Sequence, residues 1–172
     1  TLHSEGKPTA VLSFYGEDKK EAAPRMLATV QRWISDDSLM LNQVESRDLA
    51  YVRSQRFRSE LAELGVDDSC KKRVPEVVWR GTPAFISGYL RGLFSADGSV
   101  QGRIDKGYSV RLACNEKELL RGAQSLLLQL GIKCVLYSNR RLAGMRLLPD
   151  SDGNPKEYHC AAQHELVVSK SS

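Results

Sequence analysis

The segment Thr82–Gly98, TPAFISGYLRGLFSADG, constrains the fold of this chain more than any other. Thr82 followed by Pro83 reads as a helix start, a capping hydroxyl and then a residue whose fixed φ suits the first helical position. Ala84–Ala96 continues the helix and Gly98 ends it. Gly88, Gly92 and Ala96 recur every four residues and so share one face, flanked by Ser87 and Ser95. A glycine inside a helix costs about 1 kcal/mol against alanine, so two on one stripe need a compensating contact. Small residues at this period let two helix backbones approach more closely than the usual spacing of roughly 8–10 Å. The helix is expected to pack against a second one like itself.

Asp97 sits in the last turn, where the negative pole of the helix and its unpaired carbonyls disfavour a carboxylate unless a cation is near. Two such helix ends side by side would gather two carboxylates and several carbonyl oxygens. Hard oxygen donors of this kind suit Mg²⁺, which can activate water and steady charge on a phosphoryl oxygen. Taken alone, Asp97-Gly98 reads rather as a plain turn after a helix.

Elsewhere the pattern is strands in pairs followed by helices. Pro8–Tyr15 reads as a strand, with Leu2-His3 ending another across a Glu5-Gly6 turn. A helix follows to Ile34, its apolar stripe being Ala23, Met26, Leu27, Val30, Trp33 and Ile34. Ser38–Glu45 and Asp48–Gln55 form an expected hairpin, and Phe57–Leu64 a short helix stopped by Gly65. After the long helix come a hairpin, Ser99–Ile104 and Tyr108–Cys114 around Asp105-Lys106-Gly107, and a helix with an Asn115/Glu118 capping box that Gly131 ends. Strands Lys133–Ser138 and Tyr158–Val168 flank a long loop containing Pro149. Ala10–Phe14 with Glu17–Ile34 matches Tyr108–Cys114 with Glu116–Leu130 about 98 residues later, so the element order is duplicated.

Leu90–Gly98 resembles the LAGLIDADG motif of homing endonucleases, and FISGYLRGLFSADGSV, Phe85–Val100, is similar to that motif in inteins, notably those of vitamin-B12-dependent ribonucleotide reductases. Arg91, Phe94 and Ser95 depart from the pattern; the last Asp and Gly, which carry the metal role in the family, are kept as Asp97 and Gly98. Lys72-Arg73-Val74-Pro75 resembles the Lys-x-Ile/Val-Pro element between the two repeats, with Lys71 a rival for the lysine role. Gln163–Ser169 resembles the last strand of the second repeat.

The resemblance implies an α+β LAGLIDADG fold, two pseudo-symmetric αββαββα repeats whose antiparallel sheets form a DNA-binding saddle. It divides the chain into a first repeat, 1–66, lacking its motif helix, a linker, 67–82, and a second repeat, 83–172. It implies a site-specific DNA endonuclease domain of an intein, hydrolysing one phosphodiester on each strand with Mg²⁺. Asp97 and Lys72 are the implied catalytic residues, and Asp97 with Gly98 the implied metal site. The partners would be duplex DNA and a flanking host protein, a ribonucleotide reductase. The alternative is a LAGLIDADG-fold DNA- or RNA-binding module without cleavage. No splicing start residue or terminal His-Asn is present, and the first motif helix and a helix after Ser169 are missing. The chain is therefore expected to be a fragment that does not splice and is one metal ligand short.

Strand alternation selects the DNA-reading residues. Val100 and Ile104 oppose Gln101 and Arg103, and Val110 and Leu112 oppose Ser109 and Arg111. Arginine and amide side chains on an open sheet face can bond guanine and adenine edges bidentately. Tyr137 and Asn139 extend that face, Arg140, Arg141 and Arg146 suit phosphates, and Gln43, Arg53 and Gln55 are the first-repeat counterparts. Charge placement agrees: residues 1–98 carry 14 basic and 14 acidic side chains, 99–146 carry 9 and 3, and 147–172 carry 2 and 4. The net charge of +4 is concentrated in one stretch, as a polyanion binder requires.

Cys70, Cys114, Cys134 and Cys160 form no C-x-x-C pair, so they read as free thiols in a reducing compartment, not as a zinc or redox site. His159-Cys160 and His164 lack a second cluster to complete a tetrahedron. Asp150–Asn154 begins like a calcium loop, but the closing Glu is missing and Pro155 breaks the spacing, which leaves a hairpin loop. Without a signal peptide or an apolar run of some 18 residues, the expectation is a cytoplasmic protein with no membrane partner.

Overall fold

The computed structural model describes residues 9–105, 107–150 and 153–169, with only the backbone of Asp18. The chain divides after Asp68 into two compact units.

The first unit contains β1 (Ala10–Tyr15), α1 (Asp18–Ile34), β2 (Asn42–Val44), β3 (Leu49–Ser54) and α2 (Gln55–Glu63). The strands are antiparallel in the order β1-β3-β2. Along β3, Ala50, Val52 and Ser54 are buried while Leu49, Tyr51 and Arg53 point the other way, the period-two alternation of a half-covered strand. Val30 and Ile34 of α1 and Phe57 of α2 make a small core edged by Ala10, Leu12, Leu39 and Leu61. Met26 and Trp33, expected in the apolar stripe, are 40% and 45% exposed, and Trp33 meets Phe57 edge-on at 5.2 Å. The strand expected over 38–45 shrinks to β2. Gln31 of α1 donates to the Leu39 carbonyl at 2.8 Å and holds the chain away from the sheet there. The Ser54 hydroxyl caps α2 by accepting from the Phe57 N–H at 3.1 Å, so the helix begins at Gln55.

The second unit contains α3 (Glu76–Trp79), α4 (Pro83–Asp97), β4 (Gly98–Arg103), β5 (Gly107–Cys114), α5 (Lys117–Gln129), β6 (Val135–Arg141), β7 (Gly144–Pro149), β8 (Pro155–Cys160) and β9 (Gln163–Ser169). Four strands pair antiparallel in the order β4-β5-β9-β6, and β7 with β8 makes a separate ribbon. Thr82 caps α4 as expected, its hydroxyl accepting from the Phe85 N–H at 3.3 Å. Ile86 and Leu90 of α4, Leu120, Ala123 and Leu126 of α5, and Leu112 and Leu166 of the sheet share one core. Val74 and Val78 complete it. The stretch from Ser69 to Thr82, expected as linker, thus belongs to this unit, and Val74 packs so close to Gly122 of α5 that a Cβ there would lie 2.5 Å from it.

The duplication is visible in the pairing: β5-β9-β6 with α5 after β5 repeats β1-β3-β2 with α1 after β1. Three expectations are corrected. The Asn115/Glu118 capping box does not form: Glu116 is the N-cap without a side-chain cap, and Glu118 instead pairs with Arg121 at 2.6 Å. The single strand expected over 158–168 breaks at Ala161-Ala162 into β8 and β9, and the preceding loop is mostly β7. At the end of the β7–β8 hairpin the Asn154 N–H donates to Asp150 Oδ1 at 2.9 Å. The expected strand at Leu2-His3, the Glu5-Gly6 turn, the start of the strand at Pro8, Lys106, Ser151 and Asp152 lie outside the described residues.

All four cysteines are partly buried, Cys114, Cys134 and Cys160 are free thiols, and burial pushes the Cys134 thiol up. No described helix is long and apolar enough to cross a membrane.

Candidate nucleic-acid interface

The register of the four-stranded sheet decides which side chains share a face. Val100 pairs with Val110 and Val110 with Val168, while Leu112 pairs with Leu166 and Leu166 with Leu136; Leu112 and Leu166 are core residues. The opposite face therefore carries Ser99, Gln101 and Arg103 of β4, Ser109 and Arg111 of β5, Glu165 and Val167 of β9, and Val135 and Tyr137 of β6. Gln101, Arg103, Ser109, Arg111 and Tyr137 come together there on strands from three parts of the sequence.

Their side chains are already ordered by one another. Arg111 Nε donates to Ser109 Oγ at 2.9 Å, and Ser109 Oγ to the Gln101 carbonyl at 3.2 Å. Arg103 Nε lies 3.2 Å from Asp105 Oδ1 at the hairpin end. Arg140 lies 5.3 Å over the Tyr137 ring. Pairing between β6 and β9 shifts register between Tyr137 and Arg141, and Asn139 in that bulge has φ 51°. The Asn139 N–H donates to His164 Nδ1 at 3.0 Å, which holds the bulge and aims Asn139 and Arg140 out of the regular ladder. Arg141 and Arg146 line one cleft with His159 and Gln163, between the β7–β8 ribbon and the start of β9. Arg146 Nη2 donates to the Leu142 carbonyl at 2.9 Å.

In the first unit, Arg53 is on the exposed face of β3, its Nε donating to Thr9 Oγ1 at 3.2 Å. Gln43 pairs with Ala50, on the side of the sheet that carries the buried residues, and it is Asn42 that pairs with Tyr51 on the Arg53 side. Gln55, as the first residue of α2, is not on the sheet.

Asp97 ends α4 and is exposed, and Gly98 begins β4 directly after it. The Gly98 N–H closes the helix on the Phe94 carbonyl, and a Cβ at Gly98 would lie 2.3 Å from that oxygen, so only glycine lets the strand leave so close to the last turn. A Cβ at Gly88 or Gly92 meets nothing within 4 Å, and Ser87, Ser95 and Ala96 are exposed beside them. The small-residue face of α4 is thus open among the described residues. The Tyr89 hydroxyl on α4 is pushed up to about 12, mainly by burial and then by Cys70, so it remains protonated. Lys72 is exposed just before the buried Val74-Pro75 pair.

The donor set near Asp97 is one carboxylate. No group of three or more His, Cys, Asp or Glu side chains able to hold a metal occurs among the described residues. That set still fits Mg²⁺, which is commonly bound by one or two carboxylates together with substrate phosphates and water.

Residues 84–172, just over half of the chain, match the family described as LAGLIDADG-like domain, and the chain belongs to that family. It is 32% identical over 125 residues to the alpha subunit of the ribonucleoside-diphosphate reductase NrdEB of Bacillus subtilis, covering 72% of this chain and 11% of the reductase. It is 42% identical over 72 residues to the DNA polymerase of Thermococcus hydrothermalis, covering 41% of this chain and 4% of the polymerase. A DNA gyrase polypeptide of Mycolicibacterium flavescens is 29% identical over 123 residues, covering 72% of this chain and 21% of the gyrase. The chain thus spans a small part of each relative. Among solved structures, the homing endonuclease I-DmoI in complex with DNA and manganese superposes with a TM-score of 0.56 at 16% identity, over 94% of this chain and 74% of that one. A variant of I-DmoI with its target DNA and magnesium gives 0.57 at 16% identity, over 94% and 74%. At this identity the likeness establishes the α+β LAGLIDADG fold.

Sequence reasoning missed two contributors to the interface. In the sequence Glu165 reads only as part of a strand, because cations and amides are the side chains that stand out on an open sheet face. His164, read only as a failed metal ligand, holds the β6 bulge. The alternation of Gln163, Glu165 and Val167 carried the first signal; the second depends on a bulge that periodicity does not reveal.

Proposed function

We propose that the chain is the DNA-cleaving domain of an intein, a site-specific endonuclease acting on duplex DNA. The observation that carries this reading is Asp97 at the tip of α4, joined without a loop to β4 of an open sheet face bearing Gln101, Arg103, Ser109, Arg111 and Tyr137. A carboxylate that can meet a phosphate is thereby tied to side chains that can meet base edges. An antiparallel sheet of this kind fits the major groove, where each base pair shows a distinct donor and acceptor pattern. Arg140, Arg141 and Arg146 bind phosphates and set register.

Asp97, with the Gly98 backbone beside it, would hold Mg²⁺ together with DNA phosphate oxygens, and the bound ion would supply an activated water and charge stabilisation at the phosphoryl group. Lys72 lies near the scissile phosphate and neutralises charge there. The open Gly88/Gly92/Ala96 face of α4 seats a second motif helix, which brings another carboxylate for the other strand. The duplicated pairing order supports a reading of the chain as two repeats, 1–66 and 83–172. Relatives that match over small parts of a reductase, a polymerase and a gyrase are what a domain inserted into unrelated host proteins produces. The host here is a ribonucleotide reductase and the compartment is the cytoplasm. The single carboxylate at the helix end favours the second reading, a module that binds without cutting.

The test uses the complete protein carrying this domain and a duplex spanning the uninterrupted host coding sequence. With Mg²⁺ both strands should be cut at one position, and chelation should stop it. Binding without a break would establish the second reading.

A further inference from the structure

Two arginines on the open sheet face share one acid. Glu165 sits on β9 between β5 and β6, opposite Ala113 on one side and Tyr137 on the other. Its Oε2 lies 3.5 Å from Arg111 Nη1 and 3.4 Å from Arg140 Nε, so guanidinium groups from both neighbouring strands converge on one oxygen. The acid is 13% exposed, against 27% for Arg111 and 54% for Arg140. It is covered and not offered to DNA, while the arginines stay reachable. Oε2 has no hydrogen-bond partner among the described residues, so what holds the arginines to it is charge. An apolar side chain would close the same sheet without burying a charge, so a structural staple explains the residue poorly.

The two arginines differ in place and in task. Arg111 stands in the regular ladder of β5, whereas Arg140 lies in the β6 bulge, over the Tyr137 ring and nearer the rim. Arg111 uses Nε on Ser109 Oγ and turns Nη1 toward Glu165, which leaves Nη2 and the rest of its five N–H donors for a ligand. Charge decides which ligand that is. An unpaired guanidinium gains most from phosphate, and phosphate contacts are blind to sequence. A guanidinium already matched by a carboxylate gains less from phosphate, while the neutral guanine O6 and N7 acceptors are still met by its donor geometry. We propose that Glu165 is a positioning residue: it keeps Arg111 off the DNA backbone and aimed at a base edge, and ties it to Arg140, the phosphate contact that sets its register. Glu165 touches no base and acts through Arg111. This rests on the DNA-reading role of the sheet.

The experiment measures binding of the complete protein, at several salt concentrations, to the uninterrupted host duplex, to the same duplex with each base pair replaced in turn, and to an unrelated duplex. Arg111→Ala marks the base pair that Arg111 reads, where the parent should discriminate by about ten-fold or more. Glu165→Gln keeps the size of the side chain and an acceptor oxygen but removes the charge, so the sheet stays closed. It should reduce discrimination at that same base pair, bind the unrelated duplex more tightly, and steepen the salt dependence by about 0.9 in log–log slope, one further phosphate contact. In the Arg111→Ala background it should change discrimination at no position, because its effect passes through Arg111. A merely structural role predicts the opposite sign, weaker binding of every duplex alike. That result, or a Glu165→Gln variant with the parent's salt slope and preference, overturns the proposal and leaves the DNA reading standing. A parent protein that discriminates at no position removes the DNA reading as well.

Discussion

The two units use one strand order to build unequal structures. In the second, the central strand β9 presents a carboxylate between two arginines on its open face, and eleven buried residues form the core behind it. In the first, the equivalent strand β3 presents Leu49, Tyr51 and Arg53, and six hydrophobic residues, Ala23, Val30, Ile34, Ala50, Val52 and Phe57, are buried among the described residues. The difference teaches where the chemistry is concentrated: a duplicated scaffold keeps its topology while its open faces and cores diverge. The more heavily packed copy carries the more elaborate polar face. That pairing is physically reasonable, because a desolvated ionic cluster needs a rigid sheet to hold its geometry.

The contrast in cores gives the largest expected effects. Leu126→Ala, at a fully buried position of α5, should cost about 3–5 kcal/mol, because the surrounding side chains leave little room to collapse. Ile34→Ala in the first unit should stay near about 2–3 kcal/mol, since half-exposed neighbours such as Trp33 can relax into the space. Denaturant unfolding of both variants checks this, and equal losses would break the contrast. Next, Gly122→Ala should cost about 1–3 kcal/mol, because the new Cβ would lie 2.5 Å from Val74. Val74→Ala in the same chain should recover part of that loss. This pair tests whether the segment before α4 is part of the second core.

The open faces differ by less. Arg111→Ala should weaken specific DNA binding by about 1–3 kcal/mol, whereas Arg53→Ala should reduce affinity only a few-fold and evenly across sequences, as a phosphate contact does. Titration of both variants at two salt concentrations separates these outcomes. The smallest effect belongs to the first unit. Asp48 accepts from the Lys19 ammonium and, at 3.0 Å, from the Gly16 N–H, and these bonds hold its carboxyl below the usual carboxylate range, the Lys19 bond first. A depressed folded-state pKa stabilises above the unfolded value, near about 4, and that stability is lost as pH falls through the folded value. Asp48→Asn should flatten this acid dependence of first-unit stability, and an unchanged pH profile would show the contact to be without effect.

Much of this was legible in the sequence. The α4 start, its glycine stripe and the terminal Asp97 were readable because caps and four-residue spacing are local signals. The face of β5 is readable because alternation is strict where one side is covered by Leu112 and its neighbours, and β4 follows it through its register even though Val100 is exposed. What failed depends on contacts distant in sequence. The capping box at Asn115 lost to an Arg121–Glu118 ion pair, and Gln55 lost its strand place to the Ser54 cap. The β7 strand pairs only with β8 and has no covered face to impose a pattern, since Met145, Leu147 and Leu148 are all exposed. The role of Glu165 appears only when three strands are set side by side.

The central claim is that Asp97, at the end of α4, does the chemistry for the face that reads DNA. Its most direct test compares the complete protein with its Asp97→Asn variant, measuring binding and strand cleavage of the same uninterrupted duplex in Mg²⁺. The account predicts that the variant binds the duplex with the parent's sequence preference and no longer makes a double-strand break. A variant that cuts both strands as fast as the parent would contradict it.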